Sequence, residues 1–422
     1  MKGNPMNVLI SGASIAGPAL AYWLNRYGFA VTIVERAPEL RDGGYKVDLR
    51  GASIEVARRM GILDDIRRLS TDIHRGTFVR DSGKPLATLG ADFFAGRVAG
   101  DDEVMRGDLA RLLYERTRHD VEYLFDDSIT AIEQHPDRVD VTFENAPPRS
   151  FDLVIGADGL HSNTRALTFG ELASRSDKHG GPEQRYTRHL GTYISIFSAP
   201  NHLGLDHEER FCHLPGKMVN IYSARDNTEA RNLFIFRSPE LEYDRRDTDA
   251  QKRIVADAFA GAGWEVPRML EHMWRADDFY LDSCSLVELD HWSTGRVALV
   301  GDAAYCATPL SGQGTGIALV GAYVLAGELA AAAGDHVTAF ANYESEMREY
   351  VTINHKFAEE FGGQLPTTPR GVWFIGLMLR TLPYVPWKGF IARKITDQIQ
   401  GAANAITLRD YPYADVGSST AA

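Results

Sequence analysis

Apolar positions fall into blocks whose spacing switches between strand and helix along the first third of the chain. Asn7–Ser11 is a short continuous apolar run, as in a buried strand. Pro18–Tyr27 places Ala, Leu and Trp at helical spacing before Gly28 stops it. Ala30–Val34 is a second buried strand, so the opening predicts a β–α–β unit. Ala52–Met60 and Gly107–Thr117 predict helices, the latter with Leu109, Leu112 and Leu113 on one face. Thr77–Arg80 and Pro85–Leu89 predict strands around the turn Asp81-Ser82-Gly83. Val121–Phe125, Ile129–Glu133 and Arg138–Phe143 predict a small antiparallel sheet laid over the first unit, and Leu153–Ile155 another buried strand.

Beyond the polar stretch Glu171–Arg188, expected to be a long loop, the pattern becomes strand-like. Thr192–Phe197, Arg210–Leu214, Met218–Ser223, Leu233–Arg237 and Phe279–Glu288 predict an antiparallel sheet, with turns at Pro215-Gly216-Lys217 and Asp226-Asn227. Asp249–Ala262 and Val266–Trp274 predict helices. Val297–Val300 predicts a buried strand, Pro309–Gly316 a glycine-rich turn, and Ile317–Ala332 a long apolar helix. Ala339–Phe361, Val372–Leu382 and Lys388–Ile399 close the chain as helices, broken at Gly362–Pro369. The last stripe, with Trp373, Phe374 and Trp387, is expected to pack into a core, and Asp415–Ala422 to be disordered.

Composition narrows the function classes. With 44% hydrophobic residues, 39 Gly and 18 Pro in 422 residues, the chain is globular, rich in turns and long enough for two or three domains. A formal charge of -12 argues against nucleic acid and against anionic membrane surfaces. Cys212, Cys284 and Cys306 form no CxxC pair, so neither a metal centre nor a disulfide framework is expected, and a reducing cytoplasm fits. The polar N-terminus runs straight into the first strand, without the pattern of a signal peptide. Val372–Leu379, the longest apolar run, is too short for a membrane span.

Candidate chemistry sits at the strand ends. Gly12, Ser14, Ile15, Ala16 and Gly17 form a glycine turn opening a helix, where free N–H groups and the positive dipole end suit a pyrophosphate. Glu35, with Arg36 after it, ends the second strand about 20 residues on, where a carboxylate can bind a ribose diol. Gly156-Ala157-Asp158-Gly159 follows the next buried strand, with Ser162 and Arg165 beyond. Asp158 there faces either a ligand at the sheet's carboxyl edge or its own turn backbone. Gly301-Asp302 ends the strand Val297–Val300, ahead of the turn that opens the long helix. Three such junctions in one chain suggest one large ligand gripped at several points.

These stretches resemble the three signatures of the class A single-component flavoprotein monooxygenases, the aromatic hydroxylases typified by p-hydroxybenzoate hydroxylase. The resemblance implies a Rossmann-like FAD-binding domain (residues 1–175 and 291–335), an antiparallel-sheet substrate domain (176–290) and a C-terminal helical region (336–422), in a mixed α/β fold. It implies that the first signature holds the ADP part of FAD and that the second serves FAD and NAD(P)H. The third, through Gly301, Asp302, Pro309, Gly312, Gly314, Thr315 and Gly316, then meets the ribityl chain, pyrophosphate and ring. Gly43–Leu49 and Arg106–Leu109 are most similar to the tetracycline-inactivating and polyketide-tailoring branch. That likeness implies FAD contacts at Asp48 and Arg106, and an NADPH phosphate contact at Arg41. Tyr305 stands where many members have His, and Gly316 where many have Asn.

The implied reaction is hydroxylation of an aromatic or polyketide-type small molecule. NADPH or NADH reduces the flavin, and O2 is carried as a flavin C4a-hydroperoxide. No side chain is assigned a catalytic role and no metal is required. Arg210, Phe211, Tyr222, Asn232, Phe234 and Pro309 are the candidate substrate contacts. The alternatives are a Baeyer–Villiger-type oxidase, a flavin-bound sequestering protein, a plain NAD-dependent dehydrogenase, and a halogenase, whose WxWxIP motif is missing here. A monomer or homodimer is expected.

Overall fold

The computed structural model describes residues 5–41, 43–91, 96–173, 186–361, 365–386 and 388–411. Most of the Glu171–Arg188 stretch, Trp387 and the Asp415–Ala422 tail lie outside these.

The first strand, Asn7–Ser11, is the centre of a six-stranded sheet. It pairs in parallel with Ala30–Glu35 (Val8↔Val31) on one side and with Leu153–Gly156 (Val8↔Leu153) on the other. The sheet runs Ser293–Thr294, Val297–Leu299, Leu153–Gly156, Asn7–Ser11, Ala30–Glu35, Glu122–Phe125. Only the two-residue edge at Ser293–Thr294 is antiparallel. Strand alternation assigns the faces. Val8, Ile10, Ile33 and Ile155 point into the main core with the helices Ala16–Arg26 and Gly314–Ala331. Leu9, Val34, Val154 and Val297 point the other way, onto a three-stranded sheet.

That small sheet corrects one expectation. It consists of Ile129–Gln134, Val139–Phe143 and Arg149–Phe151, whereas Glu122–Phe125 joins the parallel sheet beside Ala30–Glu35. The strand arrives after the helix Arg106–Glu115, and a helical crossover delivers a parallel partner.

The second sheet has seven strands, in the order Tyr280–Val287, Thr187–Pro200, Glu229–Arg237, Lys217–Ala224, Glu208–Leu214, Arg75–Val79, Pro85–Gly90. The last two come from the segment before residue 175, so this sheet is not confined to residues 176–290. One face, with Phe197, Val219, Ile221, Phe234 and Phe236, is covered by the helices Thr248–Ala258 and Val266–Arg275. The other, with Ile194, Ile196, Tyr222, Leu233 and Ile235, meets Tyr45, Met105 and Leu310 of the nucleotide-binding half.

The core helix begins at Gly314, three residues earlier than the apolar pattern predicts. It is long and apolar enough to cross a bilayer but is 78% buried, packed against Ala16–Arg26, Ala52–Arg59 and His336–Phe361. The C-terminal stripe departs from expectation. Pro369–Thr381 buries Gly376 and Leu379, while Trp373 and Phe374 face solvent.

Candidate active site

Three neighbouring parallel strands, Val297–Leu299, Leu153–Gly156 and Asn7–Ser11, end side by side, and the three glycine-bearing junctions follow them. They touch one another. A Cβ on Gly12 (φ +108°) would lie 2.5 Å from the Ala157 carbonyl oxygen, and one on Gly301 (φ +65°) would lie 3.0 Å from Ala16 Cβ. Glycine at these positions lets the junctions close into one edge.

The first junction is braced from within. Glu35 accepts from the Ala13 N–H (2.9 Å) and the Ala37 N–H (2.9 Å), so its carboxylate pins the turn to the end of the second strand. Arg41 lies 3.6 Å from Glu35 and is mostly exposed, as is Arg36. Arg106 donates to Ser14 Oγ (2.7 Å), and its own N–H donates to the Tyr45 carbonyl. A Cβ on Gly44 (φ +120°) would stand 3.5 Å from the Arg106 side chain. Ile15, Ala16 and Gly17 open the helix, whose first N–H groups have no helical acceptor.

Asp158 is spent on its own junction. It accepts from Ser162 Oγ (2.5 Å) and from both N–H and Oγ1 of Thr164 (2.9 Å each), and so caps the helix Asn163–Ala173. Arg165 is buried and ties this junction to the third, donating to the Ala303 carbonyl (2.9 Å).

The third junction presents open backbone. Gly312, Gly314 and Thr315 are partly accessible, and Gly314–Gly316 supply the first N–H groups of the core helix. Gln313 is buried, and its amide Nε2 has no hydrogen-bond partner among the described residues. A buried donor without an acceptor points to a polar ligand. Burial pushes the Asp302 carboxyl up, against the pull of Arg106, and a Cβ on Gly314 would stand 3.6 Å from it. Asp48 joins here, with Oδ2 3.4 Å from the Gly312 Cβ position and 3.0 Å from Arg50. Burial works against its charge, yet Arg50, Arg97 and Lys46 hold its carboxyl below the usual range. Two open helix starts, glycine approaches and an unpartnered buried amide together fit a dinucleotide cofactor.

Alternation along the second sheet sorts the candidate substrate contacts. Phe211 and Tyr222 lie on the face toward the Pro309–Ser311 turn. Arg210, Asn232 and Phe234 lie on the opposite face: Arg210 and Asn232 are both in register with Ile221, and Phe234 packs on Phe259. A period-two pattern shows which residues share a face but not which face meets the cofactor. The inward face adds residues the sequence does not single out. Phe78 stacks on Phe211 (4.9 Å, 18°) and on His213 (6.0 Å, 5°), and the rings are only half-buried. Leu310 of the turn packs against the cluster of Ile194, Ile235 and Cys284, as do Met218 and Leu233. Burial pushes the His213 imidazole down, so it is neutral at pH 7.

Two buried charge clusters were also illegible. Lys46 bridges Glu209 (2.9 Å) and Glu103 (3.2 Å) between the two sheets' halves, and Arg97 pairs with Glu103. His161 meets Asp282 (2.9 Å), which also accepts from Tyr280 Oη (2.8 Å). Lys46 and its two carboxylates, and His161 and Asp282, are far apart in the chain, so no local spacing announces them. Cys306 and Tyr305 complete the wall behind Asp302. Burial pushes the Tyr305 phenol up to about 12, and its Oη accepts from Tyr343 (2.9 Å).

Comparison with known proteins identifies the family. The family described as FAD binding domain matches residues 5–358. A flavin-dependent monooxygenase of Legionella longbeachae is 42% identical over 352 residues, covering 83% of this chain and 87% of its own. Rv1260 of Mycobacterium tuberculosis is 48% identical over 349 residues, covering 82% and 91%. The crystal structure of tetracycline destructase Tet(55) superposes with a TM-score of 0.81 at 39% identity, covering 97% of this chain and all of that one. The chain therefore belongs to the FAD binding domain family and, within it, to the flavin-dependent monooxygenases.

Proposed function

We propose that this flavin-dependent monooxygenase hydroxylates a planar, oxygenated aromatic or polyketide-type molecule, with NADPH or NADH as the electron source and O2 as the oxygen source. The observation that carries the reading is the apolar, ring-bearing face that the second sheet turns toward the glycine-rich turn. Leu310, next to Pro309, packs against Ile194 and Ile235 of that face, and the half-buried rings of Phe78, Phe211 and His213 stack on the same face. Flat, apolar, ring-stacking walls suit a fused-ring substrate. The likeness to a tetracycline destructase supports the same class.

FAD would be held by the Gly12–Gly17 turn, Glu35, Arg106, Asp48, Asp302 and the Gly312–Gly316 backbone, and it supplies the redox chemistry. The chain's own contribution is placement. The N–H groups of Gly314–Gly316 and the positive end of the core helix stabilise negative charge that develops beside them. Arg106 brings a fixed cation to the same edge through Ser14. The apolar wall keeps water from the reacting carbon, and the neutral His213 ring can donate to or accept from a keto or phenol oxygen. Exposed Arg41 is the candidate for the nicotinamide cofactor's phosphate.

The test is a mass-spectrometric screen of tetracyclines, anthraquinones and simple phenols with NADPH and oxygen. Substrate-stimulated NADPH consumption with a product one oxygen heavier supports the reading. A product with a ring expanded at a ketone identifies Baeyer–Villiger insertion instead, and tight binding without NADPH consumption identifies sequestration.

A further inference from the structure

The helix Pro369–Thr381 is apolar on both sides. Its inner side, with Gly376 and Leu379, packs toward Leu86 on the edge strand of the seven-stranded sheet. Helical spacing gathers Arg370, Trp373, Phe374, Leu377 and Met378 on the outer side. There Trp373 is 67% exposed, Phe374 62%, Met378 46% and Leu377 41%, and Tyr384 and Phe390 follow, also exposed. Half of the large hydrophobic side chains that are exposed among the described residues thus lie between Trp373 and Phe390. A concentration of that kind marks an interaction surface.

The charge of this segment is opposite to that of the chain. The chain carries -12, yet residues 361–396 contain no Asp or Glu, while Arg370, Arg380, Lys388, Arg393 and Lys394 are cationic. Arg370, Arg380, Arg393 and Lys394 are exposed. A second copy of the chain would bring like charges face to face across a two-fold axis, which disfavours self-association here. An apolar strip with Trp and Phe, rimmed by cations and with one carboxylate, Asp397, 3.8 Å from Arg393, has the chemistry of an interfacial helix.

We propose that this segment docks the protein on the surface of an anionic phospholipid bilayer. Trp373, Phe374, Leu377 and Met378 enter the headgroup–acyl boundary, and Arg370, Arg380 and Lys394 lie among the lipid phosphates. Whole-chain charge conceals this because the excess carboxylates lie elsewhere. Docking holds the edge of the seven-stranded sheet beside the lipid, into which an apolar fused-ring compound partitions. The inference does not depend on the substrate assigned above.

Co-sedimentation of the FAD-loaded full chain with vesicles tests it. Vesicles of phosphatidylcholine with phosphatidylglycerol should bind the protein, and phosphatidylcholine alone, or high salt, should bind it weakly. Trp373→Ser with Phe374→Ser should weaken partitioning on the order of 100-fold. Arg370→Gln with Arg380→Gln should weaken it about 20-fold, on the anionic vesicles only. Flavin absorbance per chain should be unchanged in both variants. Absence of binding to the anionic vesicles overturns the proposal. So does light scattering that finds a dimer which the Trp373→Ser, Phe374→Ser variant dissolves, since the face would then belong to a second copy.

Discussion

Gly17→Ala is the sharpest structural perturbation of the first junction. A Cβ at position 17 would lie 1.9 Å from the Gly12 carbonyl oxygen, more than 1 Å inside the closest approach such atoms make. It would also stand 3.2 Å from Gly12 C and 3.3 Å from Ile10 Cγ2. The turn cannot retreat easily. The Gly12 N–H donates to the Val34 carbonyl (2.8 Å), and on its other side Gly12 presses against the Ala157 carbonyl. The helix Ala16–Arg26 must therefore shift, and it is buried along Ala19, Leu20, Trp23 and Leu24. Overpacking of this kind costs about 1–3 kcal/mol, and a clash against backbone belongs at the upper end. Moving the helix start also displaces the N–H groups proposed to meet the FAD pyrophosphate. Losing one charge-assisted bond of about 2 kcal/mol weakens FAD affinity about 30-fold. Urea unfolding of FAD-free protein reads the first quantity, and quenching of flavin fluorescence on titration reads the second. Gly401→Ala is the control: it sits in the helix Lys388–Ala403 with nothing within 4 Å of the new methyl, and should stabilise by about 0.5–1 kcal/mol. Should Gly17→Ala match the wild type in both stability and FAD affinity, the close-approach reasoning is refuted.

Other perturbations read the interior charges. Lys46→Met strands Glu209 without its cation and should cost about 3–5 kcal/mol in urea unfolding. Burial already raises the Glu209 carboxyl, so that cost should shrink on acidification as the group is neutralised. His213 has a folded-state pKa below its unfolded value of about 6.5, so protons bind the unfolded chain first. Its contribution is fully present above that value and is lost as pH falls below it. His213→Phe should therefore flatten the stability–pH slope below about pH 6.5, and an unchanged slope in calorimetry would show the ring is protonated at no cost. Arg106→Ala should weaken FAD binding about 10-fold or more, as expected for one charged contact of about 1.5 kcal/mol, with little change in unfolding of the FAD-free protein.

Much of this was legible along the chain because the information is local. Val8, Leu9 and Ile10 form a continuous apolar run because the strand is buried on both faces, and Gly12 and Gly301 adopt φ values that suit glycine. Non-local choices were not legible. Glu122–Phe125 reads as a strand, but whether it joins the parallel sheet or the small one depends on partners elsewhere. The register that turns Phe211 and Tyr222 toward the nucleotide-binding half turns Arg210, Asn232 and Phe234 away, and a period-two pattern cannot say which side is which. Trp373 and Phe374 look like core residues because a sequence carries no record of what lies opposite a helix face.

The central claim is that the three junctions seat a flavin whose reactive end faces the ring-stacking face of the second sheet. Its most direct test is one mass spectrum: the product formed from a tetracycline with NADPH under isotopically heavy dioxygen. The account predicts a product carrying one heavy oxygen atom per molecule. A product with oxygen from water alone, or oxidised substrate with no oxygen gained, would contradict it.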